Sequence, residues 1–201
     1  MQERLLFYTP LWQDCLATLD ADDWAHHREH MLARVYALER DGNGIERSNF
    51  GGWQSDDQIY RFPEFGWLLG HIMRLSNDIA PAYAPGLRFN NGQIWANINR
   101  RGAFNAPHTH PNSLLSGVVY LKVSGAEQGV IEFFDTREGS PPNHWGCFLA
   151  LETPTELTRD THVVTPHEGL ILFFPSWMRH WVRPNVTDED RVTLAFNVRA
   201  T

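Results

Sequence analysis

Three histidines and one arginine carry most of the chemistry that this 201-residue sequence could perform. His108 and His110 flank a single threonine in Ala106-Pro107-His108-Thr109-His110-Pro111. On a β-strand, residues two apart point to the same face, so both imidazoles project together. Two neutral imidazoles on one face are half of a site for Fe, Zn, Cu or Ni. The same spacing also arises in strand histidines that merely hydrogen-bond to backbone. Further on, Gly169-Leu170-Ile171-Leu172-Phe173-Phe174-Pro175 reads as an apolar strand and a Pro-led turn, after which His180 opens another strand. The run Arg191-Val192-Thr193-Leu194-Ala195-Phe196-Asn197 then alternates, with Arg191, Thr193 and Asn197 on one face and Val192, Leu194 and Phe196 on the other. A polar face of that kind on a late, core-like strand suits a pocket that holds an anion. Arg191 offers a fixed fork to a carboxylate and Thr193 adds a hydroxyl donor; the competing role for Arg191 is a structural ion pair.

Positioning these groups requires a β-rich scaffold, and from about residue 88 the sequence supplies one. Short β-branched and aromatic runs recur between Gly, Pro, Asn and Asp, at Gln93–Asn99, Asn105–His110, Ser116–Val123, Val130–Asp135, Phe148–Leu151, His162–Thr165, Leu170–Phe174, His180–Arg183 and Val192–Arg199. The first third reads helical. Asp22 or Asp23 can cap a helix whose Trp24, Met31, Leu32, Val35 and Leu38 form one stripe, stopped by Asp41-Gly42-Asn43-Gly44. A second helix with Pro63 in its first turn places Phe65, Leu68, Leu69, Ile72 and Ile79 on one face. The expected fold is mainly β: a double-stranded β-helix, or jelly roll, with N-terminal helices packed on one sheet. The length fits a single domain over 1–201, with a helical layer at 1–87 and a jelly-roll core at 88–201. The loop Arg137–Trp145, with Gly139, Pro141 and Pro142, could close over a site as a lid.

Composition narrows the function classes. A net charge of −7 argues against a nucleic-acid partner, which calls for a basic stripe. No apolar run approaches the roughly 18 residues that a membrane span needs. The apolar start is too short for a signal peptide, and Cys15 and Cys147 form no C-x-x-C pair, so reduced thiols in the cytoplasm are expected. Trp95, Trp177 and Trp181 read as core or pocket wall, His26, His27 and His30 as the solvated side of the first helix, and His144, His162 and His167 as ordinary loop histidines. Ser113 and Ser116 have no neighbouring base and orienting group, which excludes a serine nucleophile. The helical layer could serve as a homodimer surface.

Taken together, the histidine pair, the distal histidine after a G-x-hydrophobic-F-P strand and the arginine beyond it resemble the 2-oxoglutarate/Fe(II)-dependent oxygenase superfamily. The stretches Trp95–Asn99, His108–Leu121 and Ser48–Ser55 are similar to a bacterial and phage branch of it with an H-x-H-P motif. That resemblance implies Fe(II) held by His108, His110 and His180, and 2-oxoglutarate held by Arg191 with Thr193, with Asn97, Asn99 or Tyr120 reaching the cosubstrate. It implies hydroxylation of a small-molecule or peptide substrate. Most of the superfamily has a carboxylate where this chain has His110, so Glu132 or Asp135 could replace His110 as ligand. Two other readings share the scaffold: a cupin-type metal dioxygenase or isomerase that does not use 2-oxoglutarate, and a non-enzymatic small-ligand-binding jelly roll.

Overall fold

Four long strands, each buried on both faces over much of its length, decide the architecture. The computed structural model describes residues 8–42, 44–135, 155 and 159–200. Among them the strands are β1 (Trp12–Cys15), β2 (Asn49–Phe50), β3 (Trp53–Gln54), β4 (Phe89–Asn99), β5 (Phe104–His108), β6 (Leu115–Lys122), β7 (Ile131–Phe134), β8 (Thr161–Val164), β9 (Leu170–Pro175), β10 (His180–Val182) and β11 (Arg191–Ala200). They form a six-stranded sheet in the order β1-β9-β6-β11-β4-β3 and a five-stranded sheet in the order β2-β5-β10-β7-β8. All named strand pairs are antiparallel. This is the expected mainly-β jelly roll with helices on one sheet.

One face of the six-stranded sheet packs under helices α1 (Leu16–Leu19), α2 (Ala21–Asp41) and α3 (Gly66–Ile79). Ile94, Ala96, Ile98, Val119, Leu194 and Phe196 meet Met31, Val35, Leu68 and Ile72 there in one buried cluster. Residues one step along each strand face the other sheet, where Val118, Tyr120, Leu172 and Phe174 pack with Ile131 and Phe133. The period of two thus assigns helix-facing and cavity-facing residues strand by strand.

Packing is tight at Gly117 on β6. A Cβ there would overlap the Phe196 ring and the Leu172 carbonyl oxygen. Gly117→Ala is therefore expected to destabilise the fold by about 1–3 kcal/mol or more through overpacking. Urea unfolding would reveal it as a lowered midpoint; an unchanged midpoint would contradict this packing.

Several expectations are corrected in detail. The N-terminal third is not purely helical, because the short polar strand β1 adds to the edge of β9. The first long helix starts at Ala21, and no side chain caps it. The preceding carboxylate, Asp20, is instead bonded by Trp67 Nε1 at 3.3 Å and approached by His71 Nε2 at 3.3 Å. Pro63 opens a 3-10 turn, Pro63–Phe65, and the α-helix begins after it. Trp177 is 55% exposed, not core or pocket wall. His26 and His30 are exposed, whereas His27 is half-buried and stacks on Trp67 at 4.9 Å. His162 and His167 are exposed. The expected strand Phe148–Leu151, the loop Arg137–Trp145, His144 and Cys147 lie outside the described residues. No helix among the described residues is long and apolar enough to cross a membrane.

Candidate metal and anion site

Register brings the three histidines together. β10 lies between β5 and β7, with His180 opposite His108 on one side and Phe133 on the other. His110 falls just beyond the end of β5, two residues past His108. Its backbone N–H donates to the Ser176 carbonyl at 2.9 Å, which ties the turn after β5 to the turn before β10. The ring centroids are 4.4 Å apart for His108–His180, 4.9 Å for His108–His110 and 5.2 Å for His110–His180. One ligating nitrogen from each lies within 4.8 Å of the others, and no carboxylate joins this cluster among the described residues.

Hydrogen bonds orient two of the rings for a metal. His108 Nδ1 is 2.7 Å from the Ala106 carbonyl and His180 Nδ1 is 2.9 Å from the Met178 carbonyl. A carbonyl only accepts, so both Nδ1 atoms carry the proton and both Nε2 atoms keep their lone pair. This is the outer-shell arrangement that fixes a ligating tautomer. Glu132 is engaged elsewhere. Its register partner is Trp181, on the opposite face of β10 from His180. Its carboxylate accepts from Trp181 Nε1 at 2.7 Å and pairs with Arg183 at 2.9 Å.

Burial keeps all three rings neutral. Desolvation pulls the His108 and His180 pKa values down, and that of His110 down to about 3, with His108 adding a smaller repulsion on the other two. In the unfolded chain these groups titrate near 6.5. Below that value the unfolded state binds protons that the folded state refuses. Stability of the metal-free protein should then fall as pH drops from about 6.5 toward about 3, the window between the unfolded and folded pKa values of His110. Urea midpoints measured across that range test this, and a flat profile would contradict it.

From the six-stranded sheet, Arg191, the first residue of β11 and 1% exposed, lines the same cavity. Nη1 donates to the carbonyls of Gln128, Gly129 (3.3 Å) and Arg183 (3.2 Å). Nε and Nη2 are buried and find no hydrogen-bond partner among the described residues. Desolvation lowers its pKa to about 10, which still leaves it charged at neutral pH. A buried cation with two unsatisfied donors is costly unless an anion meets it. Thr193, Asn97 and Tyr120 line the cavity beside it, on adjacent strands in register at Thr193. Burial pushes the Tyr120 hydroxyl up to about 12, so it stays a neutral donor. Asn99 pairs with Arg191 across β4 and β11, yet it packs against Gly52 and does not line the cavity.

The cavity, of about 50 Å³, is lined both by the neutral histidine cluster and by the cationic Arg191. Ser48, Trp95, His108 and His110 line both it and an outer cleft of about 620 Å³, open to solvent, whose walls include Arg47, Phe50, Asp57 and Pro107. Spacing along the sequence did not point to the Gln128–Gly129 carbonyls that seat Arg191. Gly125 and Gly129, both at positive φ, shape that turn, but nothing local ties it to a residue more than sixty positions away.

A family model of 2OG-Fe(II) oxygenases matches residues 93–197, which includes all three histidines and Arg191. No curated protein matches the chain. Solved structures similar to this one include a prolyl-4-hydroxylase from Pseudomonas putida, at 18% identity and TM-score 0.68, covering 96% of this chain and 94% of the other. The non-heme alpha-ketoglutarate-dependent epimerase SnoN from nogalamycin biosynthesis is also similar, at 18% identity and TM-score 0.68, covering 95% and 78%. So is HygX from Streptomyces hygroscopicus, solved with nickel and 2-oxoglutarate bound, at 13% identity and TM-score 0.66, covering 96% and 84%. At these identities the likeness to the solved structures is one of fold.

Proposed function

This chain belongs to the 2OG-Fe(II) oxygenase family, and on that premise we propose that His108, His110 and His180 hold the iron while Arg191 holds 2-oxoglutarate in an enzyme that hydroxylates a second, organic substrate. The observation that carries the assignment is Arg191. Its unpartnered Nε and Nη2 lie buried in the cavity that the histidine cluster also lines. A dicarboxylate with a metal-chelating 2-oxo acid end and a free carboxylate end matches both at once. A cupin-type enzyme without 2-oxoglutarate would leave that charge unmatched.

Each residue then has a defined task. The Ala106 and Met178 carbonyls hold the His108 and His180 rings with Nε2 toward the metal. Arg191 and the Thr193 hydroxyl fix the far carboxylate, with Asn97 and Tyr120 beside it. Phe174, Val118 and Ile131 line the same cavity and keep water from it. Fe(II) and 2-oxoglutarate held there would supply oxidising chemistry from dioxygen for hydroxylating a substrate C–H bond, with succinate and carbon dioxide as the coproducts. Trp95 and Ser48 stand at the threshold between the cavity and the outer cleft, where the small-molecule or peptide substrate would enter. Three neutral imidazoles leave the full 2+ charge of the metal uncompensated by protein, which strengthens its hold on an anionic cosubstrate. The free thiol of Cys15 suits a reducing compartment such as the cytoplasm.

Anaerobic addition of Fe(II) and then 2-oxoglutarate tests the assignment. A weak visible charge-transfer band should appear only when both are present. Tight Fe(II) binding with no band on adding 2-oxoglutarate would sink the proposal.

A further inference from the structure

We infer that the backbone turn ending at Gly129 positions Arg191, so that only its Nε and Nη2 meet the cosubstrate and the turn sets which dicarboxylate length the site accepts. The inference rests on the oxygenase reading above. Three carbonyls, from Gln128, Gly129 and Arg183, surround Nη1. Nη1 has only two hydrogens and a carbonyl only accepts, so that nitrogen is fully engaged with backbone. A planar guanidinium held at one corner presents its remaining edge in one direction. That edge carries the two atoms without partners among the described residues.

The seat requires glycine at 129. The residue has φ +96°, and a Cβ there would overlap both the Arg183 carbonyl oxygen and Arg191 Nη1. Two parts of the same clamp would therefore move, with Arg191 driven toward the cavity. The turn is braced from behind by Gln128, which is 1% exposed. Its Oε1 accepts from the Ser124 N–H at 2.7 Å, and its Nε2 donates to the Glu189 carbonyl at 3.2 Å and to Thr187 Oγ1 at 3.3 Å. Both the histidine cluster and the arginine seat are tied to one short stretch of chain. His180 opens β10, and Arg183, whose carbonyl grips Nη1, follows three residues later, roughly 10 Å along an extended chain. The span from the metal end to the arginine fork is thus set by backbone, not by a flexible side chain. A 2-oxo diacid one carbon shorter or longer is therefore expected to bind more weakly than 2-oxoglutarate.

Calorimetric titration of 2-oxoglutarate, oxaloacetate and 2-oxoadipate into Ni(II)-loaded protein, with Ni(II) affinity measured alongside, tests this without any turnover. Gly129→Ala should weaken 2-oxoglutarate binding by about ten- to a hundredfold, the scale of a misaligned charged hydrogen bond, with Ni(II) affinity unchanged. The preference for 2-oxoglutarate over the shorter oxaloacetate should shrink in the same variant. Gln128→Ala, which keeps the backbone but removes its brace, should weaken it by about three- to tenfold. Arg191→Lys has no Nη1, so adding Gly129→Ala to it should cost less than Gly129→Ala costs the wild type. Unchanged 2-oxoglutarate affinity in both single variants overturns the inference, and so does full additivity in the double variant. If Gly129→Ala does not fold, Gln128→Ala decides alone: a loss supports the inference and no loss overturns it. Wild-type protein that takes up Ni(II) but no 2-oxoglutarate overturns the oxygenase reading as well, which separates the two failures.

Discussion

Arg191→Met should weaken 2-oxoglutarate binding by at least about a hundredfold, since two charge-assisted hydrogen bonds to a carboxylate are lost together. Metal loading should survive, because Arg191 is not part of the histidine cluster. Titration of metal and then 2-oxoglutarate separates the two effects. An arginine that served only as a structural ion pair would show neither pattern, and among the described residues no carboxylate pairs with it. The variant therefore discriminates a cosubstrate anchor from a structural cation. Equal 2-oxoglutarate affinity in wild type and variant would remove Arg191 from the site.

His180→Ala carries the second large expectation. Loss of an outer-shell partner alone costs a metal site about ten- to a hundredfold in affinity, so loss of a ligand on the central strand β10 should exceed a hundredfold. His180 is 4% exposed and held between Phe133 and Phe174, with ring centroids 5.7 Å and 4.7 Å away. Its ring can neither leave the cavity nor be replaced by a surface group. His110→Asp makes the informative contrast. It converts the three-imidazole set to two imidazoles and a carboxylate, and it should keep Fe(II) bound. His110→Ala should lose most of that affinity, whereas an unchanged site in His110→Ala would retire the three-histidine assignment.

The parts of this site that were legible in the sequence are those governed by strand period. The shared face of His108 and His110 and the Arg191–Asn197 face were legible because a period of two turns residue types into faces, whereas His180 was read from its place after the Pro175 turn. Two-residue strands such as β2 and β3 have no period to read, and β1 is a polar edge strand, so these escaped. Asp20 was not singled out in the sequence, because its partners, Trp67 and His71, lie about fifty residues away. Trp177 seemed suited to a pocket wall by its size, yet the turn between β9 and β10 points it outward. Glu132 remained open as a ligand until register placed it beside Trp181, one strand face away from His180. The seating of Arg191 by the Gln128–Gly129 turn is the least local feature of all, since it depends on which carbonyls two separate loops bring to one nitrogen.

The most direct test of the whole assignment is a crystal structure of the protein grown anaerobically with Fe(II) and 2-oxoglutarate. The account predicts metal bonded to ring nitrogens of His108, His110 and His180, with the distal carboxylate of 2-oxoglutarate on Arg191 Nε and Nη2. Metal held by Glu132 or Asp135, or a 2-oxoglutarate carboxylate that does not meet Arg191, would contradict it.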